Sequence, residues 1–298
     1  MPPITTFVFF DIETTGLPHL EKNQTKITEL SMVAASKDDI LNTSLGYVPK
    51  VTKLSLLFNP ERRIHPDAVK MNGLSNNILK SEPIFREKFD TINSFLLTLA
   101  KPVCLIAHNG NNFDYKILLA ECNDGNLNLS LDLLCYDSIV AFRNILGGTN
   151  ISFETLSKKI DEKDNVDATV DVWPELDLSI EDIEQLDLSV TETLNDEQKK
   201  KKTRRKKASH KKLTKKLEER NNLISTLFTK SDNQCNRNSF KLAHLYKRLL
   251  NKSPENCHRA EADCFMLLEC VVALKTEFIK LAESESILLN DIQALIRY

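Results

Sequence analysis

Three short clusters of carboxylate and imidazole side chains carry the chemistry this chain could perform. In the first, Asp11-Ile12-Glu13 follows the apolar run Ile4–Phe10 and leads into Thr14-Thr15-Gly16. Residues i and i+2 of a strand face the same way, so both carboxylates can meet one ion while Ile12 turns to the core. Two carboxylates at one spot repel unless a cation neutralises them. A solvated strand end has the same pattern, and D-x-E by itself favours that plainer reading. The second cluster, His108-Asn109-Gly110-Asn111-Asn112-Phe113-Asp114, joins the apolar run Val103–Ala107 to an expected helix. Asp114 then lies in the first helical turn, where the macrodipole favours an anion and simple capping is the alternative. The third is His258-Arg259-Ala260-Glu261-Ala262-Asp263. Five residues along one helix turn the side chain by about 140° net, so His258 is expected in the loop before a helix and Asp263 in its first turns. Histidine ordinarily titrates near pH ~6.5, and one beside a carboxylate suits a general base.

The elements that would position these clusters follow from hydrophobic periodicity. Strands are expected at Ile4–Phe10, Ile27–Ala35, Lys53–Asn59, Val103–Ala107 and Leu131–Tyr136, where β-branched and aromatic residues alternate or run together. Helices are expected at Phe89–Ala100, Asn112–Glu121, Ser138–Leu146, Phe240–Leu250 and Ala260–Ala282. Strands followed by helices imply an α/β fold, a mixed sheet covered by helices.

The charge is unevenly placed. The 298 residues hold 40 Lys+Arg and 42 Asp+Glu, a formal net charge of −2. From Glu154 to Glu197 there are 15 acidic and 3 basic residues, a net of −12; from Gln198 to Arg220 there are 13 basic and 2 acidic, a net of +11. Block charges of this kind read as a disordered interaction arm. The low net charge therefore does not argue against nucleic acid. Seven cysteines, an odd number without C-x-x-C spacing, indicate neither a disulfide framework nor a zinc knuckle, and suit a reduced cytosol or nucleus. No apolar stretch approaches the ~20 residues of a membrane span, and the apolar N-terminal run meets Asp11 and Glu13, unlike a signal peptide.

Taken together and in this order, the clusters resemble the signature of DnaQ-like exonucleases of the DEDDh type: F-D-x-E-T-T-G at Phe10 to Gly16, H-N followed by D at His108 to Asp114, and H-x-A-x-x-D at His258 to Asp263. Gly16-Leu17-Pro18, Thr28-Glu29-Leu30, Leu54 to Pro60 and Asn72-Gly73-Leu74-Ser75 make the chain most similar to the three-prime repair exonucleases, and closer to the branch without a C-terminal membrane tail. The resemblance implies an RNase H-like, DnaQ-like fold with a mixed five-stranded sheet. It implies one discontinuous exonuclease domain, 1–150 with 238–298, around an inserted arm at 151–237. It also implies a metal-dependent 3′→5′ exodeoxyribonuclease releasing nucleoside 5′-monophosphates. Asp11, Glu13, Asp114 and Asp263 would hold two Mg²⁺ ions, with Mn²⁺ able to substitute, and His258 would act as general base. An all-oxygen donor set suits those ions. Thr14, Leu17, Met71, His108, Asn109 and Phe113 are the expected substrate contacts. Leu17 and Met71 could equally be core residues. The family often carries Arg-Tyr before the second-cluster aspartate, and this chain has Asn112-Phe113 there.

The expected partners are DNA with a free 3′ end, preferably single-stranded, and a second copy of the chain paired through the Lys53–Asn59 edge strands. In the arm, Lys201, Arg204, Arg205, Lys206 and Lys207 lie in a run that reads as a DNA tether or a nuclear-localisation signal. The acidic half, with Leu176-Asp177-Leu178-Ser179 repeated ten residues on, reads as a protein-binding segment or a self-inhibitory one. Nucleus or cytoplasm is the expected location, with no membrane anchor. An exoribonuclease with the same catalytic residues and a non-catalytic nucleic-acid-binding scaffold are the alternatives.

Overall fold

The computed structural model describes residues 3–147, 149, 151–161, 239–254 and 258–297. Within them the core is a six-stranded sheet in the order β3-β2-β1-β4-β5-β6. Its central strand, β1 (Thr6–Thr14), runs antiparallel to β2 (Ile27–Ser36) and parallel to β4 (Val103–Ala107). β3 (Thr52–Leu57) lies antiparallel on the outer side of β2, and β5 (Leu134–Asp137) parallel to β4. The expected five strands are thus joined by a sixth, the two-residue β6 (Ile287–Leu288), antiparallel to β5.

The helices divide between the two faces. α4 (Phe85–Thr98) and α5 (Asp114–Gly125) cover one. α6 (Ser138–Leu146), α8 (Leu242–Leu250), α9 (Ala260–Ala273) and α10 (Lys275–Glu285) cover the other. The short α1 (Lys37–Asn42), α2 (Pro66–Asn72) and α3 (Asn76–Leu79) lie in connections, and α7 (Phe153–Asp161) stands where the chain enters the charged segment.

The alternation of β1 decides which face receives the chemistry. Phe7 and Phe9 are buried among residues of α6, α8, α9 and α10, whereas Val8, Phe10 and Ile12 are buried with α4 and α5. Asp11 and Glu13 continue the Phe7–Phe9 face and so point towards α9. The strand runs four residues past Phe10, because Asp11, Ile12 and Glu13 pair with Ser31, Leu30 and Glu29 of β2.

Two further boundaries differ from periodicity. The single helix expected from Ala260 to Ala282 is two, broken at Leu274 (φ −124°, ψ 25°), with no glycine or proline to announce the break. α7 forms inside the span expected as disordered arm. The residues expected to tether DNA, Lys201 to Lys207, and the acidic repeat from Leu176 to Ser189 lie outside the described residues. Among the described residues no helix is long and apolar enough to cross a membrane.

Candidate active site

The four carboxylates arrive from three elements. Asp11 and Glu13 come from β1, Asp263 from the first turn of α9, and Asp114 from the first residue of α5. One carboxylate oxygen from each of Asp11, Glu13 and Asp263 lies within 4.8 Å of the other two. Asp114 stands outside that trio, yet close enough to Asp11 for its charge to act on it. It is 2% exposed and accepts backbone N–H bonds from Ile12 and from its own amide.

Burial holds all four acids above their ordinary range, and repulsion within the cluster adds to it at Asp11, Glu13 and Asp114. Burial and then Asp114, Asp263 and Glu13 push Asp11 well above 3.8. Burial carries Asp114 to about 8. Glu13 rises to about 7, burial outweighing the downward pull of its hydrogen bond from Asn72. Asp263 rises to about 6, again through burial, with His258 pulling it down. Four acids forced together in this way lack positive charge, and their donors are all oxygen. The set fits hard divalent cations such as Mg²⁺ or Mn²⁺ and not a thiolate-seeking metal.

His258 sits where its spacing from Asp263 required, in the loop before α9. It is exposed, its backbone is left-handed (φ 67°), and its ring lies near enough to Asp263 to lower that acid's pKa.

Three polar residues that sequence reasoning passed over hold these groups in place. Asn72, at the end of α2, donates from Nδ2 to Glu13 Oε2 (2.9 Å) and accepts from the Leu74 N–H (2.9 Å). Glu29 of β2, 4% exposed, receives Arg259 Nε and a terminal Arg259 nitrogen at 2.9 and 2.8 Å. Asp137, ending β5, accepts N–H bonds from Asn109, Asn111 and Ile139 at 3.0, 3.1 and 2.9 Å, which fixes the loop before Asp114. The available signal was a charge inside a strand, since a buried carboxylate needs a partner.

The same loop is packed from beneath by Tyr115. Its fully buried hydroxyl accepts from the Ala107 N–H (2.9 Å) and lies 3.0 and 2.9 Å from the Leu105 and Tyr136 carbonyls. Gly110 rests on this ring, where a Cβ would come within 2.5 Å of it.

The expected substrate contacts divide. Leu17 and Met71 are 49% and 58% exposed, which removes the core-packing alternative. Four others are engaged within the fold. The Thr14 hydroxyl donates to the Gly16 carbonyl (3.0 Å). Both ring nitrogens of His108 are occupied, Nδ1 with the Ser138 hydroxyl and Nε2 with the Phe240 carbonyl, each at 2.9 Å, and burial lowers its pKa. Asn109 adopts φ 69° and accepts from Asn112 Nδ2 (2.9 Å). Phe113 packs partly buried against the α4–α5 core. These contacts brace the chain around the carboxylates. Beside the carboxylates an open groove of about 960 Å³ is lined by Leu56, Leu57, Met71, Asn72 and Arg259, among others.

Comparison with known proteins agrees with this geometry. The family model described as Exonuclease (RNase T) matches residues 8–172, more than half the chain. The chain belongs to that exonuclease family. Among its relatives, human three prime repair exonuclease 2 is 35% identical over 155 residues, 48% of this chain and 64% of the relative. Human three-prime repair exonuclease 1 is 36% identical over 156 residues, 47% of this chain and 48% of the relative. The matched part thus spans between about half and just under two thirds of those relatives' length. Among solved structures, the zinc-bound complex of Escherichia coli exonuclease I with single-stranded DNA superposes with a TM-score of 0.52 at 16% identity. That superposition covers 93% of this chain and 42% of the other. At that identity the exonuclease I likeness is one of fold.

Proposed function

We propose that the chain is a divalent-metal-dependent 3′→5′ exodeoxyribonuclease that releases nucleoside 5′-monophosphates from DNA 3′ ends. The observation that carries this reading is the convergence of Asp11, Glu13 and Asp263 within 4.8 Å, with Asp114 and His258 beside them, in a member of the exonuclease family. The relatives named above are three-prime repair exonucleases, and that resemblance supplies the DNA substrate and the polarity.

In this reading Asp11, Glu13, Asp114 and Asp263 would hold two Mg²⁺ ions. Mn²⁺ can replace either. When bound, such ions supply positive charge that draws in the scissile phosphate and stabilises the attacking and leaving oxygens. The protein's own groups do the rest. Asn72 aims Glu13, and the Asp137-anchored loop fixes the start of α5 and with it Asp114. His258, exposed beside Asp263, accepts the proton of the attacking water at a ring nitrogen. Leu17 and Met71 offer apolar surface to the terminal base, a contact that any base can make.

The oligomer and the arm belong to the same proposal. β3 ends the sheet, and its outer edge is free among the described residues to pair with a second copy; a monomeric mass by light scattering at micromolar concentration would contradict a homodimer. The Lys201–Lys207 run would give a DNA affinity that falls steeply with salt and nuclear entry. Deleting residues 198–220 should flatten that salt dependence and retain a fluorescent fusion in the cytoplasm.

Digestion of 5′-labelled single-stranded, duplex and RNA oligonucleotides with Mg²⁺ tests the reaction. The expected products are a ladder shortened from the 3′ end and nucleoside 5′-monophosphates, with DNA preferred. Asp263→Ala and His258→Ala should each lower kcat by about 100-fold or more, in line with loss of a general base or a phosphate-site charge. Wild-type turnover in Asp263→Ala would refute the assignment.

A further inference from the structure

The loop that carries His258 is tied to the sheet through the Arg259–Glu29 pair. Arg259 occupies the position before the first residue of α9 and offers that helix no side-chain cap. Its guanidinium instead reaches back to Glu29 as a two-pronged fork at 2.9 and 2.8 Å. Glu29 Oε2 also accepts the Ala260 N–H at 3.2 Å, one of the amides that a helix start leaves without an internal partner. A carboxylate from β2 thus caps α9 from outside the helix. Glu29 is directly opposite Glu13 in the β1–β2 register.

This arrangement places a cost beside the site. Glu29 is buried, and its charge raises the pKa of Asp11, Glu13 and Asp263, with Arg259 offsetting it at Glu13 alone. A fold that needed only a helix cap could have used a serine or asparagine on the helix itself. A buried charge adding to the repulsion of the acids is explained by what the fork fixes. It sets the direction of the backbone at Arg259, between the left-handed His258 and the turn whose Asp263 N–H bonds the Arg259 carbonyl (3.0 Å).

We propose that Glu29 and Arg259 are positioning residues. The fork and the shared Ala260 cap orient the His258 imidazole and the Asp263 carboxylate together relative to Asp11 and Glu13. The proposal rests on the exonuclease reading of His258 and Asp263, and its test separates the two. Arginine and lysine differ here in a useful way, because lysine keeps the charge but not the planar fork. Glu29→Gln keeps the shape but can no longer accept all three bonds.

Both variants would be compared with wild type in three measurements. One is kcat and KM on single-stranded DNA. Another is Mn²⁺ affinity of the DNA-free protein by calorimetry. The last is NMR relaxation of the His258 ring in metal-free protein at one pH. The chain has 6 histidines, so His258→Ala assigns that signal. The expected result for both is a loss of about 10–100-fold in kcat and in Mn²⁺ affinity, the range typical for partners that orient metal ligands, with little change in KM and a more mobile His258 ring. If the variants merely melt at lower temperature while ring mobility and Mn²⁺ affinity stay at wild-type values, the pair is structural and the proposal fails. Wild-type behaviour of Arg259→Lys would also overturn it, since charge alone would then suffice. Should Glu29→Gln fail to fold, Arg259→Lys, whose altered side chain is 44% exposed, decides by itself. If wild type lacks nuclease activity, the exonuclease reading falls while the ring mobility still decides the positioning role.

Discussion

Removing one buried charge from the acidic cluster should change how stability depends on pH, and Asp114 is the cleanest place to do it. Its carboxyl is raised from 3.8 to about 8 in the fold, so between those values the folded state binds a proton that the unfolded chain has released. Stability then falls as pH rises through the window, and the loss is complete above about pH 8. Each pH unit is worth ~1.4 kcal/mol, so the interval from 3.8 to 8 corresponds to on the order of 5 kcal/mol. The portion between pH 5.5 and 8 corresponds to about 3 kcal/mol, or roughly 6–12 °C in Tm for a domain of this size. Asp114→Asn keeps an acceptor for the Ile12 N–H and abolishes the charge. Thermal melts in EDTA at pH 5.5, 6.5, 7.5 and 8 should therefore show a downward slope for wild type and a much shallower one for Asp114→Asn. Removing the charge also relieves its repulsion of Asp11, which lowers that acid and flattens the variant's slope further. Mn²⁺ at about 100 times its Kd should restore ~2.7 kcal/mol at pH 8 and much less at pH 5.5, where protons compete. Parallel slopes for the two proteins in EDTA would refute the claim that Asp114 is buried among like charges.

Two further expectations follow from groups around the cluster. Tyr115→Phe leaves the Ala107 N–H and two carbonyls without the phenol, and should destabilise by about 1–3 kcal/mol, read by urea denaturation; an unchanged midpoint would mean that the hydroxyl is not the fastener it looks. Asn72→Ala removes the donor that lowers Glu13, so Glu13 should titrate higher than about 7 in metal-free protein, and Mn²⁺ affinity should fall about 10-fold. Carbon-detected NMR of the Glu13 carboxyl and calorimetry read the two effects.

Much of this site was legible because it obeys periodicity. Asp11 and Glu13 continue the alternation of Phe7 and Phe9, and a net turn of about 140° between His258 and Asp263 required that one of them leave the helix. The sheet's apolar strands were equally visible, since β1, β2, β4 and β5 are buried almost throughout. What escaped was the set of residues whose partners lie far away in the chain. Glu29 bonds a residue 230 positions on, Asp137 reaches back 28 and Asn72 reaches 59. No local pattern encodes such pairings. The break at Leu274 was hidden for a related reason: Leu274 is buried, and packing rather than a helix-breaking residue turns the chain there. His108 was legible as part of the second loop, but its partners Ser138 and Phe240, 30 and 132 positions on, were not.

The chain just before α7 is tied to α8, the helix that follows the charged segment in the chain. Arg248 of α8 donates from Nε to the Ile151 carbonyl (2.9 Å) and from a terminal nitrogen to the Thr149 carbonyl (3.0 Å), so the strand of chain going out is buttoned to the helix that comes back. Closing a loop costs only about 0.6 kcal/mol more for each doubling of its length. At that rate a longer or shorter sequence between α7 and α8 would cost the core little, while Asp263, which follows it in the chain, keeps its place beside Asp11.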